Sequence, residues 1–397
     1  MKKRILIFCE FYLPGYRSGG GMWTVVNLVD QFCRKYDFFI ITRNYESVSH
    51  KEPFVTVETG EWNQVRNARV YYFQRGGLTT AAAASLVTSV RPDVILLNSV
   101  FGMPGLRFLN ARRKRLVPDI PVIVAPCGEL GSGALSLKPL KKRLFLRYAK
   151  LVRFYRDVIW KASSEAEKNE IRAVMGNNVE VLVAPDLVPK TILPLYSQTS
   201  KPKKDPGSVN FVVVSRIMAK KNIHFFLECL REVNSGAVTF DIVGPLEDMS
   251  YWKGCEAVIS GLPGNVKVNV VGPLEQPDAL DRVFRSHFFV LPSLSENFGY
   301  VFIEALAAGC PLLISDQTMW NDLEQRGVGW TIPLDRKDLY VRRIKECIDM
   351  DDRLFSNMSA ASRAFALEWL ADPFSEKAMD SILKRALKGS RKGASYG

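Results

Sequence analysis

Short apolar runs separated by helical patterns recur along the whole chain, and this alternation is the feature that most constrains its fold. Each run is continuously apolar, as is typical of parallel strands buried on both faces. The runs form two series, at residues 5–9, 38–42, 70–73, 93–98, 121–126 and 179–185, and then at 209–215, 238–244, 266–272, 288–293 and 311–315. Strands that alternate with helices predict parallel sheets covered by helices on both faces.

Two series of strands predict two domains, and 397 residues are enough to build two cores. The predicted parts are a Rossmann-like amino-terminal domain at 1–195, a linker rich in Lys, Pro, Ser and Gly at 196–210, a carboxyl-terminal domain at 211–371, a returning helix at 372–388 and a basic disordered tail at 389–397. Open parallel sheets bind ligands at the carboxyl ends of their strands, so a cleft between the domains is the expected site.

The overall composition narrows the classes of partner. A net charge of +13 favours anionic partners, namely nucleic acid, acidic lipid or phosphorylated small molecules. Nucleic acid is not expected, because the overall charge is the only feature that favours it. Seven scattered cysteines and three distant histidines indicate neither a disulfide framework nor a metal site. Glu10 interrupts the first apolar run too early for a signal peptide, so we expect a cytoplasmic protein.

The stretch LPSLSENFGYVFIEALAAGCPLLIS, residues 291–315, places two carboxylates around a predicted helix start. Glu296 lies in the loop after a strand, and Glu304 lies in a short helix that Gly309 ends. The amide groups at a helix start attract phosphate, and Gly299 lets the backbone come close to a ligand. Carboxylates accept hydrogen bonds from vicinal diols, so this stretch suits the two sugars and the diphosphate of a nucleotide sugar.

The same stretch resembles the E-x7-E signature of family 4 retaining glycosyltransferases, which have the GT-B fold. The similarity includes Pro292-Ser293, Phe298-Gly299, Glu304-Ala305, Ala308-Gly309 and Pro311. The resemblance implies an α/β protein with two Rossmann-like doubly wound domains facing across a cleft and a C-terminal helix that crosses back to the first domain. It also implies metal-independent transfer from a nucleotide-diphosphate sugar to a glycan or lipid-linked acceptor. The nucleotide sugar is a substrate, so no cofactor is expected, and cell-surface polysaccharide assembly is the expected context.

Two cations form the second predicted element of the site. Arg216 follows a strand, and Lys221 precedes an amphipathic helix, so both can neutralise a diphosphate and its growing charge as a leaving group. The family has an Arg and a Lys at this place and spacing. The resemblance therefore assigns catalytic roles to Arg216, Lys221 and Glu296. Together with these three, the predicted donor-binding residues are Gly19, Gly20, Asn297, Phe298, Gly299 and Glu304.

The amino-terminal half carries weaker signals. Gly19 and Gly20 lie between the first strand and its helix, where a glycine-rich turn allows close approach to phosphate or sugar, or is simply a flexible turn. Cys127-Gly128 stands where many family members have His-Gly, and that His contacts the donor sugar. This departure concerns donor recognition. Cys127 is not expected to be a nucleophile, because no His or Asp neighbours it in sequence.

A basic segment at 138–156 leaves two interpretations open. Apolar residues follow helical spacing among its lysines and arginines, and they are Leu140, Leu144, Tyr148, Leu151, Tyr155 and Ile159. Such a segment either docks on an anionic membrane, here the inner face of the plasma membrane, or is a core helix with a solvated outer face.

Two functional alternatives also stay open. One is a nucleotide-sugar epimerase on the same fold, and the other is a non-catalytic glycan- or lipid-binding protein.

Overall fold

The computed structural model of the chain describes residues 1–16, 18–46, 51–136, 139–189 and 201–389. The chain divides into two compact units, which are Met1–Leu187 with Pro373–Gly397, and Val188–Asp372. The first part of the predicted linker, 196–200, and the predicted tail after Gly389 lie outside the described residues.

The amino-terminal unit is built on one eight-stranded sheet. Its strands are β1 (Lys3–Phe8), β2 (Tyr36–Arg43), β3 (Trp62–Val65), β4 (Ala68–Phe73), β5 (Val94–Leu97), β6 (Val122–Val124), β7 (Val158–Ala162) and β8 (Val181–Val183). The order is β3-β4-β2-β1-β5-β6-β7-β8, and every neighbouring pair is parallel except β3 with β4. The winding direction reverses between β1 and β5, which is where open sheets of this kind bind ligands.

Helices cover both faces of this sheet. In the first segment of the unit, Met1–Leu187, the helices are α1 (Gly20–Phe32), α2 (Thr80–Val90), α3 (Met103–Arg113), α4 (Ser132–Ser136), α5 (Pro139–Leu151) and α6 (Glu165–Met175). In β1, Ile5 and Ile7 belong to the core on the α1 face, while Leu6 and Phe8 belong to the core on the opposite face. A strand covered on both sides is apolar at every position, which explains the continuous runs in the sequence.

The carboxyl-terminal unit repeats this plan with six parallel strands. They are β9 (Ser208–Val214), β10 (Ala237–Val243), β11 (Val266–Gly272), β12 (Phe288–Leu291), β13 (Leu312–Ser315) and β14 (Gly329–Ile332). The order is β11-β10-β9-β12-β13-β14, so the winding reverses between β9 and β12, which pair directly. The loops after β9 and β12 therefore emerge side by side at the carboxyl edge of the sheet.

The helices of this unit complete the second doubly wound layer structure. A 3₁₀ turn at Ala219–Lys221 directly precedes α7 (Ile223–Leu230). The helices that follow are α8 (Met249–Ile259), α9 (Gln276–Arg285), α10 (Tyr300–Ala307), α11 (Lys337–Asp349) and α12 (Asp352–Ala371). The last helix, α13 (Phe374–Gly389), returns to the amino-terminal unit, where Met379, Ile382 and Leu383 are buried in the α1-face core. The predicted fold class, two doubly wound sheets with a returning helix, is confirmed. Among the described residues, no helix combines the length and apolar content needed to cross a bilayer.

Three strands, β3, β7 and β14, are not indicated by the sequence pattern. The predicted helical spacing that runs to Ile159 is wrong at its end, because α5 stops at Leu151 and Ile159 lies in β7. A lysine interrupts the apolar run of β7. In the fold that lysine, Lys161, is 5% exposed and forms an ion pair with Asp186, so its charge is compensated inside the unit.

Residues at the end of the predicted linker are part of the carboxyl-terminal unit. Lys204 is fully buried, and its Nζ donates to the carbonyl oxygens of Asp205, Ile348 and Met350 at 3.0, 3.1 and 3.0 Å. These last two carbonyls lie at the end of α11, where helices leave acceptors without intrahelical donors. Ile348 O also accepts from Gly207 N at 2.9 Å, and Lys204 supplies the donor to Met350 O.

We predict that Lys204→Met lowers the free energy of unfolding of this unit by about 2 kcal/mol, because Met350 O loses the buried ammonium group that donates to it, while Ile348 O and Asp205 O keep backbone donors. Urea unfolding measures the change. Lys203→Met is the matched control, since that lysine is 75% exposed and lies 3.6 Å from its partner Asp205. Its substitution should change stability by less than about 0.5 kcal/mol. Equal losses in the two variants would contradict the capping role.

Candidate active site

A charged cluster lies at the carboxyl ends of β9 and β12. Glu296 Oε2 accepts a hydrogen bond from Lys221 Nζ at 2.5 Å and from Ser293 Oγ at 3.3 Å. A backbone bond joins the same two loops, because Leu294 N donates to Lys220 O at 2.9 Å. The structure therefore brings two of the three predicted catalytic residues into direct contact, and the adjacency of β9 and β12 explains why.

The electrostatics of the cluster keep Glu296 ionised. Its side chain is 16% exposed and that of Lys221 is 14% exposed. Burial acts to raise the pKa of the Glu296 carboxyl, but the positive charges of Lys221, Lys220 and Arg216 outweigh it, and the pKa lies below its usual value. At neutral pH the site therefore presents a carboxylate held among cations.

Arg216, the third predicted catalytic residue, lies two positions after β9 and is anchored by a carboxylate that the sequence did not single out. Its Nη1 is 3.1 Å from Glu247 Oε2, and its side chain is 38% exposed. Glu247 follows the end of β10, the next strand in the sheet. The only signal for it was its place just after a predicted strand end.

The loop before α10 has a conformation that requires glycine. Gly299 has φ 74° and occupies the N-cap position, and a Cβ there would lie 2.4 Å from the ring of Phe302. Gly299 has no side chain to cap the first amide groups of α10, and these carry the positive end of the helix dipole. Such a helix start is suited to bind phosphate. Asn297 lies in the same loop.

The helix ends sharply, as the sequence predicts. Gly309 has φ 68°, its N–H donates to Leu306 O at 2.9 Å, and Cys310 N donates to Ala305 O at 2.9 Å. This pair of bonds is a Schellman motif, which satisfies the last carbonyls of the helix. The helix is therefore only eight residues long.

Phe298 supports the loop from inside the unit. Phe298 is a predicted donor-binding residue. Its side chain is 2% exposed, and its ring centroid lies 5.0 to 5.8 Å from those of Tyr300, Trp369 and Trp320. Its backbone oxygen accepts a hydrogen bond from Trp320 Nε1 at 2.7 Å. The aromatic cluster thus fixes the backbone on which Glu296 and Gly299 lie.

The second glutamate of the motif has a different environment. Glu304 is partly buried in α10, and its Oε1 accepts a hydrogen bond from Gln276 Nε2 at 3.1 Å. Burial raises the pKa of the Glu304 carboxyl, and the bond from Gln276 opposes this rise. Gln276 begins the helix after β11 and was not predicted, because nothing in the sequence links it to the glutamate motif.

The glycine-rich turn lies in the amino-terminal unit. Gly19 is the N-cap of α1 with φ 80° and ψ −164°, a combination almost restricted to glycine, and Gly20 is the first residue of the helix. Asn98, which follows the neighbouring strand β5, donates from Nδ2 to Gly21 O at 2.7 Å. The turn is therefore a fixed structure at the point where this sheet reverses its winding.

Cys127 is bound into the same part of the amino-terminal unit. Its Sγ donates to Asn98 Oδ1 at 3.3 Å, and Gly128 N donates to Glu167 Oε1 at 2.6 Å. Burial raises the pKa of the Cys127 thiol well above its usual value, so the residue is a neutral thiol that supports Asn98. Glu129 is likewise a structural group here, because it accepts hydrogen bonds from Ser99 Oγ at 2.8 Å and Val100 N at 2.6 Å.

Within the ranges that the structure describes, no group of three or more His, Cys, Asp or Glu side chains is arranged to hold a metal ion.

Part of the chain matches the model of a known protein family. Residues 197–365 match the model of the family described as "Glycosyl transferases group 1", and this range contains Arg216, Lys221, Glu296 and Glu304. A search of curated proteins found no match.

Several solved structures have a similar fold. Sucrose-phosphate synthase from Thermosynechococcus elongatus has a TM-score of 0.73 at 14% identity, with 98% of this chain and 100% of that chain covered. WaaG, a glycosyltransferase involved in lipopolysaccharide biosynthesis, has a TM-score of 0.67 at 12% identity, with 95% and 99% covered. Anabaena HepE in complex with UDP-glucose has a TM-score of 0.66 at 16% identity, with 96% and 99% covered. At these identities the similarity shows the fold.

The conformation at Gly299 leads to a prediction. Gly299→Ala should lower the free energy of unfolding by about 1–3 kcal/mol, because alanine is strained at positive φ and its methyl group meets Phe302. Urea unfolding measures the loss. Gly264→Ala is the matched control, since a Cβ there meets nothing within 4 Å and φ is not in the left-handed range. Similar losses in both variants would be evidence against a constrained loop.

Proposed function

We propose that this chain, a glycosyltransferase with the GT-B fold and a group 1 domain at 197–365, is a family 4 enzyme. Its proposed donor is a nucleotide-diphosphate sugar, and the transferred sugar retains its anomeric configuration. The observation that carries this proposal is the cluster of Arg216, Lys221 and Glu296 beside the start of α10. It joins cations, a helix start and an ionised carboxylate at the edge where such sheets bind ligands.

The donor diphosphate is assigned to the cations. Arg216 and Lys221 already pair with Glu247 and Glu296, so a bound diphosphate would share cations that the fold has positioned in advance. Fixed positive groups stabilise charge that develops in a transition state more effectively than water does, since they need no reorganisation. HepE, which has a similar fold, was solved in complex with UDP-glucose, and this supports a nucleotide sugar as the donor class.

The carboxylates are assigned to hydroxyl groups. Glu296 is ionised and would accept hydrogen bonds from the transferred sugar, while Lys221 holds it in place. Glu304, with its partner Gln276, would bind the ribose. Gly19 and Gly20 are proposed, from the resemblance, to allow close approach to donor phosphate or sugar.

Retention follows, in this proposal, from attack on the face that the diphosphate leaves. The bond between the anomeric carbon and the diphosphate oxygen breaks, and the acceptor oxygen bonds to that carbon. The acceptor proton passes to the departing diphosphate, which acts as the base. All charge stabilisation in these steps is assigned to protein groups, so the proposed mechanism uses neither a metal ion nor a cofactor.

The acceptor is proposed to be a glycan or a lipid-linked sugar in cell-surface polysaccharide assembly. WaaG, which is involved in lipopolysaccharide biosynthesis, has a similar fold and supports this class by analogy. The corresponding location is the cytoplasm, with peripheral attachment to the inner face of the plasma membrane.

The roles of the charged cluster predict strong losses of activity. Arg216→Ala and Glu296→Gln should each lower kcat about 10²-fold or more while the fold stays intact by circular dichroism. The assay is release of nucleoside diphosphate from a panel of nucleotide sugars that begins with UDP-glucose.

Controls come from the same unit. Arg231→Ala and Glu324→Gln change side chains that are 51% and 63% exposed, and they should keep near-normal rates. Near-normal rates for Arg216→Ala and Glu296→Gln would refute the assignment. No nucleotide release from the unaltered protein with any donor would favour a binding protein, and conversion of the donor without release would favour an epimerase.

A further inference from the structure

Helix α5 exposes a line of leucines on its outer face. Leu140, Leu144 and Leu151 are 76%, 65% and 83% exposed. Successive helical residues turn by about 100°, so these three leucines lie within about 40° of one line along the helix. The opposite face is also apolar, since Leu146 and Ala149 are buried in a core of the amino-terminal unit. Packing against the core explains the apolar residues on the inner face, but it does not explain the exposed leucines on the outer face.

Cations surround this outer line. Exposed side chains on α5 include Lys141, Arg143, Arg147 and Lys150, and the 13-residue sequence of the helix contains no Asp or Glu. By the same rotation of about 100° per residue, Arg147 lies close to the leucine line, Arg143 and Lys150 lie on one side of it, and Lys141 lies on the other. The outer surface of α5 therefore carries leucines along its middle, with Arg147 beside them, and further cations at both margins.

The structure changes how the basic segment is understood. A core helix with a solvated outer face would place polar residues on the outermost line, whereas α5 places leucines there. Scattered exposed leucines are ordinary on protein surfaces, but an aligned group bordered by cations is typical of helices that lie in a membrane interface. Lys138 of the predicted segment lies outside the described residues, while Tyr155 and Ile159 pack in or against the protein core.

We infer that α5 docks on an anionic lipid surface, with Leu140, Leu144 and Leu151 at the boundary between headgroups and acyl chains. The cations on its margins would contact lipid phosphates, and Tyr148, which is 48% exposed, would lie at headgroup level. Charge complementarity selects this occupant. A second copy of the chain placed on the same face would bring the two sets of cations together, whereas an anionic bilayer neutralises them.

This inference deepens the proposed function, since it rests on a membrane-bound acceptor and names the surface that would bring the enzyme to it. Vesicle binding needs neither donor nor acceptor. A failure to bind vesicles is therefore distinguishable from a failure to transfer sugar.

The test is vesicle flotation with the full chain, comparing phosphatidylcholine vesicles with vesicles that also contain phosphatidylglycerol. Binding should be confined largely to the anionic vesicles. Leu140→Ser/Leu144→Ser/Leu151→Ser should weaken it about tenfold or more, because the inserted apolar groups are lost. The matched control is Leu116→Ser/Leu354→Ser/Leu367→Ser, which alters leucines that are 50%, 51% and 50% exposed elsewhere. Its binding should equal that of the unaltered chain.

A charge variant tests the electrostatic part. Arg143→Gln/Arg147→Gln/Lys150→Gln should weaken binding to anionic vesicles about a hundredfold, since each cation near such a surface contributes a factor of about five. Equal binding of the unaltered chain to neutral and anionic vesicles would overturn the inference, as would undiminished binding of the serine variant. A dimer in light scattering that the serine variant dissociates, without vesicle binding, would identify a second copy as the occupant and equally overturn it.

Discussion

The ion pair between Lys221 and Glu296 is the interaction on which the carboxyl-terminal site depends. It joins the loops after two strands that are distant in sequence but adjacent in the sheet. The pair does two things at once: it holds a carboxylate in its ionised form, and it fixes a cation at the edge of the sheet. Gly299 and the ring of Phe298 keep the loop in the shape that this pairing requires. A site of this kind is prepared before any ligand arrives, which is what electrostatic stabilisation of a leaving group needs.

Most of the fold could be predicted from sequence, because a strand buried on both faces must be apolar at every position and therefore stands out. The strands that the pattern does not indicate have physical reasons for escaping it. β3 has only four residues, none of them fully buried, and β14 has only four residues, which include Gly329 and Thr331. β7 is central but carries Lys161, and its charge is tolerated only because Asp186 lies beside it in the folded unit. A compensated buried charge cannot be recognised before both partners are placed in space.

The residues of the candidate site also divide into those that the sequence indicates and those that it does not. The positions of Arg216, Lys221 and Glu296 after strand ends could be predicted, and the pairing of β9 with β12 explains why Lys221 and Glu296 meet. Their catalytic roles, which the resemblance assigns, stay a prediction. Glu247 and Gln276 could not be predicted, since their contacts arise from strands and helices that meet only in the tertiary structure. The outer face of α5 shows a different limit of what the sequence can predict. Its helical spacing was visible in the sequence, but only the fold decides which apolar face turns inward.

The most direct test of the central claim is the affinity of the carboxyl-terminal site for a nucleoside diphosphate, measured by calorimetry with UDP, GDP and ADP. The diphosphate that binds best is compared with its nucleoside, which lacks phosphate, for the unaltered chain and for Lys221→Gln. If Lys221 grips the diphosphate, the variant should bind the diphosphate about tenfold more weakly or worse, with the nucleoside affinity unchanged. An unchanged diphosphate affinity, or an equal loss for the nucleoside, would contradict the claim.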